Sequence, residues 1–224
     1  MEPHHHVDPS QVRLKITEKF LSLQGEGEHT GLACAFVRLT GCPLRCNYCD
    51  TAYAFHGGTW QTVGEIEAWV RDMDCNLVQI TGGEPLAQKG ARTLIPFLID
   101  RGYRVLLETA GSEPIDNLPD QCHIVMDLKT PGSGECDRNR LENLAYLKPT
   151  DELKFVVTSL DDWEWTLSTI LQNQLDERFH VLISPVGGNV SLRRPLAERV
   201  IQSGLRLRYQ IQLHKEIWGD EPGT

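Results

Sequence analysis

Three cysteines, Cys42, Cys46 and Cys49, stand in a C-x3-C-x2-C spacing within the stretch T-G-C-P-L-R-C-N-Y-C-D-T, from Thr40 to Thr51. Thiolates hold iron–sulfur clusters, and three on one short loop can converge on a single inorganic centre. The count matters. A closed structural zinc site takes four ligands, whereas a cubane held by three cysteines leaves one iron open to another molecule. Spacing alone admits either the cluster or a zinc knuckle completed by a remote histidine.

Other stretches could also bind or react. L-Q-G-E-G (Leu23 to Gly27) has two glycines two apart after an extended run, which suits a plain turn or a close backbone approach to a ligand. Arg38 interrupts the apolar run A-C-A-F-V-R-L, and a guanidinium there needs an anionic partner. A structural carboxylate and a substrate carboxylate are equally open. G-G-E-P (Gly82 to Pro85) breaks a strand with a side-chain-free backbone.

The elements that must position these residues alternate. Strand patterns cover Val12 to Leu23, Ala33 to Leu39, Leu77 to Thr81, Tyr103 to Glu108, His123 to Asp127, Leu153 to Val157, His180 to Ile183 and Leu205 to Leu213. Helices are expected from Val63 to about Met73, opened by the capping box T-V-G-E, and from Ala91 to Asp100. Further helices are expected near Arg138 to Leu147, Asp162 to Asn173 and Leu192 to Gln202. Val-, Ile- and Leu-rich strands alternating with helices indicate a parallel α/β sheet. About six βα units are too few for a closed eight-fold barrel of roughly 250 residues, so an open or partial barrel fits better. Ligands then gather at the C-terminal strand ends. Five polar or glycine-rich segments fall there: Gly82 to Pro85, Glu108 to Gly111, Asp127 to Lys129, Ser184-Pro185 and His214-Lys215.

With 224 residues the chain suits one domain, residues 12–224, preceded by a tail, residues 1–11, whose His4, His5 and His6 are given no role. Its 22 basic and 31 acidic residues leave a net charge of −9, against a general nucleic-acid binder. No apolar run approaches the roughly 18 residues of a membrane span, and no secretory signal is present, so a cytoplasmic protein is expected. Seven cysteines suggest reduced thiols rather than a disulfide framework, with Cys34 and Cys122 as buried small side chains.

The cysteine spacing, with Tyr48 immediately before the third cysteine, resembles the radical S-adenosylmethionine (SAM) superfamily, whose open cluster iron is chelated by SAM. The resemblance implies a 4Fe–4S cluster, SAM and a partial (βα)6 TIM-like barrel. It likens Gly82-Gly83-Glu84-Pro85 to the glycine-rich segment whose backbone meets the methionine amino group, where Glu84 can pair with an ammonium. A narrower resemblance covers nearly the whole chain: L-Q-G-E-G, F-V-R-L, C-D-T, T-G-G-E-P, E-T-A-G, D-L-K-T-P and the final Q-L-H-K together are similar to the 7-carboxy-7-deazaguanine synthase family, which serves queuosine and other 7-deazapurines.

That resemblance implies 6-carboxy-5,6,7,8-tetrahydropterin as substrate, contacted by Leu23, Gln24, Gly25, Arg38 and Thr81. It places Tyr48, Cys49, Asp50, Gly83, Asp127 and Lys129 along SAM; some members read Ser-Pro-Lys where this chain has Asp127-Leu128-Lys129, so Lys129 transfers most directly. Thr51, otherwise a helix cap or turn residue, would give its hydroxyl to Mg2+, a hard cation that keeps several water ligands. The implied reaction is a radical ring contraction with loss of ammonia, in which cofactor chemistry does the difficult step and no acid–base triad is needed. Glu26, Glu108 and His214 are candidates for proton transfer or, equally, for structural hydrogen bonding. An electron donor such as a flavodoxin or ferredoxin, and a homodimer, follow by the same analogy. Two rivals are a glycyl-radical-enzyme activating protein and a non-catalytic zinc-binding interaction module.

Overall fold

The computed structural model describes residues 8–187, 189–219, 221 and 223, so the terminal histidines His4 to His6 lie outside the described residues. Pro9–Gln11 form a 3₁₀ turn capped by Asp8, just ahead of the expected domain start at residue 12. The strands β1 (Arg13–Leu23), β2 (Ala33–Leu39), β3 (Thr59–Thr62), β4 (Leu77–Gly82), β5 (Arg104–Thr109), β6 (His123–Asp127), β7 (Glu152–Val157), β8 (His180–Pro185) and β9 (Leu207–Tyr209) form one sheet. Its order is β3-β1-β2-β4-β5-β6-β7-β8-β9. β1 runs antiparallel to both β2 and β3, and from β2 onward neighbours are parallel. This is the partial barrel expected from the alternation.

Alternate residues serve two different interiors. Val37, Ile80, Leu107, Met126, Phe155 and Ile183 belong to the large apolar core on the outer side of the sheet, where they meet the helices. These are α1 (Val63–Asp72), α2 (Ala91–Ile99), α3 (Leu160–Asn173), the short α4 (Leu175–Arg178) and α5 (Val190–Ser203), followed by α6 (Leu213–Trp218) at the C-terminus. Burying a side chain as large as Phe155 or Leu107 contributes about 1.5–3 kcal/mol, so this layer is where the fold draws its stability. The inward set begins apolar, with Cys34, Phe36, Leu77 and Leu106 in a separate cluster. Towards the C-terminal strand ends it becomes polar.

Local signals were obeyed where they were strong. The capping box closes α1: the Thr62 N–H donates to Glu65 Oε2 (2.6 Å), and the Glu65 N–H donates to Thr62 Oγ1 (3.1 Å). Two expectations fail. No α-helix spans Arg138 to Leu147; 3₁₀ turns at Cys136–Arg138 and Leu141–Ala145 occupy the region. Asparagine side chains there bond distant backbone instead of a helical ladder. Asn143 Nδ2 donates to the carbonyls of Gly111 (3.0 Å) and Glu113 (2.9 Å), and Asn139 brackets the backbone of Lys129. The expected strand Leu205 to Leu213 is likewise only Leu207–Tyr209, because the chain then leaves the sheet and the Leu213 N–H donates to the Gly25 carbonyl (3.0 Å). The edge strand β3 was not anticipated. Among the described residues no helix is long and apolar enough to cross a membrane.

One buried carboxylate ties the helical layer to the top of the barrel. Asp162, at the start of α3, accepts from the Thr158 N–H (3.0 Å), the Gly132 N–H (2.8 Å) and the Thr130 hydroxyl (3.0 Å). Asp162→Ala leaves these donors without an acceptor and is expected to destabilise the fold by about 3 kcal/mol. Chemical denaturation measures this, and an unchanged midpoint would contradict it.

Candidate active site

At the C-terminal ends of the parallel strands the barrel opens into a cavity of about 250 Å³, and the site residues singled out from the sequence border it, except Glu84. The cysteine loop follows β2 directly and is clamped from both sides. The Gly41 N–H donates to the Ala54 carbonyl (2.8 Å), and the Gly41 carbonyl accepts from the Glu84 N–H (2.9 Å). The Asn47 N–H donates to the Ser133 carbonyl (2.9 Å), on the loop that Asp162 holds, and the Arg45 N–H donates to Glu135 Oε1 (2.6 Å). Gly83 is required by close approach: a Cβ there would lie 2.3 Å from the Gly41 oxygen and 2.6 Å from Cys42 Cβ.

Cys42, Cys46 and Cys49 all border the cavity on one loop, the three thiolates that a cubane with one open iron takes. Burial pushes the Cys42 and Cys46 thiols up, so ligation must displace their protons. Cys34 and Cys122 are fully buried, pushed up to about 12 by that burial, and away from the cavity, as the sequence suggested.

Beside the cysteine loop, Lys129 Nζ pairs with Asp127 Oδ2 at 2.8 Å. Burial alone would favour neutral Lys129, but the Asp127 carboxylate outweighs it and raises the lysine's pKa. Asp127 Oδ1 and the Tyr48 hydroxyl are buried with no hydrogen-bond partner in the protein. Buried polar atoms are seldom left so, and these face the cavity where a bound cofactor could satisfy them. Asp50 Oδ2 meets Lys215 Nζ at 3.0 Å. Thr51 precedes the 3₁₀ turn Ala52–Phe55 but makes no capping bond; its hydroxyl lies 3.7 Å from Cys49 Sγ.

Deeper in the barrel the organising group is Lys154, which the sequence reading passed over. Its Nζ meets Glu108 Oε1 at 2.6 Å and Glu26 Oε2 at 2.8 Å. Burial would raise the pKa of Glu108, but Lys154, aided by the Thr81 hydroxyl (2.9 Å), holds that carboxyl down to about 2. The same two carboxylates keep Lys154 charged against its own burial. Gln79 Nε2 donates to Glu108 Oε2 (3.0 Å), Gln24 Nε2 donates to Gln79 Oε1, and Gln212 Nε2 donates to Glu26 Oε1 (2.8 Å). Glu108 is therefore an ionised acceptor here, and Glu26 accepts from both Lys154 and Gln212. His214 lies so close to Gly25 that an added Cβ would sit 2.0 Å from its Nδ1. Burial, opposed by Glu26, lowers its pKa, so the imidazole is neutral and able to accept a proton.

Arg38 borders the cavity but donates from Nε to Glu18 Oε1 at 2.6 Å, so the structural carboxylate is its partner in this state. Glu84 corrects the sequence reading. It is fully buried and accepts from the Thr109 hydroxyl (2.8 Å), the Ala110 N–H (2.7 Å) and the Leu86 N–H (3.0 Å), leaving nothing for a ligand ammonium. Lys154 and Gln79 carried a usable signal: each interrupts an apolar strand as Arg38 does, at an inward-facing step of the period-two pattern.

Residues 36–133 match the Radical SAM superfamily. The chain is 41% identical to the 7-carboxy-7-deazaguanine synthase of Koribacter versatilis, over 93% of this chain and 98% of that protein. It is likewise 41% identical to the one from Chlorobaculum tepidum, over 95% and 97%. Among solved structures, QueE from Escherichia coli superposes with a TM-score of 0.73 over 88% of this chain and 94% of that one, at 23% identity. Streptococcus suis SuiB bound to S-adenosylmethionine superposes at 0.56 over 77% and 48%, at 16% identity. At such low identities the superpositions speak for the fold. Near-complete coverage at 41% identity speaks for more: the chain belongs to the 7-carboxy-7-deazaguanine synthase family of radical SAM enzymes.

Proposed function

We propose that this chain converts 6-carboxy-5,6,7,8-tetrahydropterin to 7-carboxy-7-deazaguanine with loss of ammonia, using a 4Fe–4S cluster, SAM and Mg2+. The observation carrying this reading is one cavity with two chemically distinct ends. At its mouth stand three thiols and the unpartnered polar atoms of Tyr48 and Asp127. At its depth lies an ordered set of charges suited to a small polar heterocycle.

Cys42, Cys46 and Cys49 would hold the cluster, with Tyr48, Asp50, Gly83, Asp127 and Lys129 along SAM and Thr51 toward Mg2+. When bound, cluster and SAM supply a carbon radical able to remove hydrogen from a substrate carbon. The protein's own work is orientation and exclusion of water. Gln24, Thr81 and the backbone of Leu23 and Gly25 offer hydrogen bonds to pterin edges, and Arg38 can turn from Glu18 to a substrate carboxylate in bidentate fashion. His214 Nδ1, neutral and beside Gly25, can accept a proton released as the ring nitrogen departs. Glu26 and Glu108, fixed on Lys154, keep that region negative for the protonated amine. An electron donor of the flavodoxin or ferredoxin type and a homodimeric assembly belong to the same proposal.

A small, charge-lined cavity favours this reading over an activase, which needs a protein-docking surface, and membership of a radical SAM enzyme family disfavours a zinc module. Reconstituted protein given the pterin, SAM and a reductant is expected to form 7-carboxy-7-deazaguanine, with a lower rate when Mg2+ is withheld. Absence of product under reducing conditions would sink the reading. Cys46→Ala should lose iron and the visible absorption near 400 nm (a rough position for such clusters), while Cys34→Ala keeps both; iron loss in the Cys34 variant would mean the ligands are misassigned. Lys154→Met leaves Glu26 and Glu108 buried without their cation, at a cost of about 3 kcal/mol. It is expected to retain the cluster and lose product formation at least tenfold, roughly the equivalent of 1.4 kcal/mol in the barrier. A variant with parental turnover would remove Lys154 from the site.

A further inference from the structure

The barrel carries a second polar cluster at the opposite, N-terminal end of its strands. His123 opens β6, Glu152 opens β7, and His29 descends from the connection between β1 and β2. One ligand atom from each of the three lies within 4.8 Å of the other two. His123 Nε2 and Glu152 Oε2 are already 3.0 Å apart, close to the ligand–ligand edge of a tetrahedral site with bonds of about 2.1 Å. The set is not a surface accident: the Glu152 side chain is 1% exposed, that of His123 16%, and His29 is 9% exposed.

His29 offers one nitrogen to the cluster, and Arg104 shows which. Its Nε2 lies 2.9 Å from Nη2 of Arg104, which opens β5. A guanidinium only donates, so Nε2 must accept and the proton sits on Nδ1. That Nδ1 is buried and has no hydrogen-bond partner. The second carboxylate oxygen of Glu152 is committed to the Glu28 N–H (2.8 Å), which fixes the orientation of the first toward the histidines.

We propose that His29, His123 and Glu152 form a second cation site on the barrel floor, for a borderline divalent transition metal such as Zn2+. Two imidazoles and one carboxylate favour such an ion over Mg2+ or Ca2+, which prefer all-oxygen shells. The metal and Arg104 are alternatives on His29, and Arg104 is exposed, so it can swing into solvent when a metal enters. The occupied site would bind the connection that carries Gln24, Gly25 and Glu26 to β6 and β7, and Glu152 sits two residues before Lys154 on the same strand face. The cation would therefore brace the active-site loop from below without touching substrate. This holds whether or not the proposed reaction is correct.

The test uses the full chain with its cysteines already occupied by reconstituted cluster, equilibrated with Zn2+, freed of excess, and analysed for bound metal. The parent is expected to keep one more zinc than His123→Ala; because His4 to His6 are present in both, their binding cancels. Added Zn2+ should raise the thermal midpoint of the parent but not of His123→Ala, since a ligand bound only to the folded state stabilises it. Arg104→Met, at an exposed position, should bind zinc severalfold more tightly. Equal zinc content in parent and His123→Ala, or a parental midpoint indifferent to zinc, overturns the proposal. If His123→Ala does not fold, parent and Arg104→Met are compared directly, and unchanged affinity there overturns it as well.

Discussion

A buried ammonium between two carboxylates governs the interior of this barrel. Lys154 rises from β7, Glu108 from β5 and Glu26 from the loop between β1 and β2, and they meet within 2.8 Å. Taking such charges out of water is expensive, and a buried ion pair adds little net stability over an apolar replacement. Its effect is positional. With Lys154 in place, Glu108 is fixed for Thr81 and Gln79, Gln79 receives Gln24, and Glu26 receives Gln212 from the C-terminal segment. Segments far apart in sequence are thereby aligned around one polar pocket, while the stabilising apolar surface lies on the other side of the sheet.

The cysteine loop obeys a complementary constraint, close backbone approach. Gly82 and Gly83 let the end of β4 press against Leu39, Gly41 and Cys42, where any Cβ would collide. The turn containing Thr130 to Ser133, held by Asp162, grips the loop at Asn47. Three thiols are thus presented at fixed places beside Asp127 and Lys129. The two constraints meet in one cavity, bordered by the cysteine loop and the barrel interior alike.

Much of this was legible in the sequence because the signals were local or periodic. Apart from the edge strand β3 and the overlong last strand, the strands and the capped helices were placed to within a few residues, and the candidate site residues other than Glu84 border the cavity. What escaped depends on distant partners. Asn139 and Asn143 read as helix-compatible until their side chains are seen bonding Lys129, Gly111 and Glu113. Past Tyr209 the chain is held by side-chain bonds to distant partners: Gln210 Oε1 accepts from the Gly27 N–H at 2.7 Å and its Nε2 donates to Ser184 at 3.1 Å. Glu84 looked like a ligand group, yet Thr109 and Ala110 consume it. Lys154 was visible as a cation in an apolar strand, but only the register of β5, β6 and β7 shows which carboxylate it meets.

The central claim is that the three-thiol loop holds a cluster with one iron open to SAM, beside Asp127 and Lys129. Electron–nuclear double resonance on the reduced, reconstituted protein, with SAM carrying a 15N-labelled amino group, tests this most directly. A 15N hyperfine coupling to the cluster signal, appearing on addition of the labelled SAM, is the expected result. A cluster signal with no 15N coupling, or a protein that takes up zinc in the cysteine loop and gives no cluster signal, would contradict it.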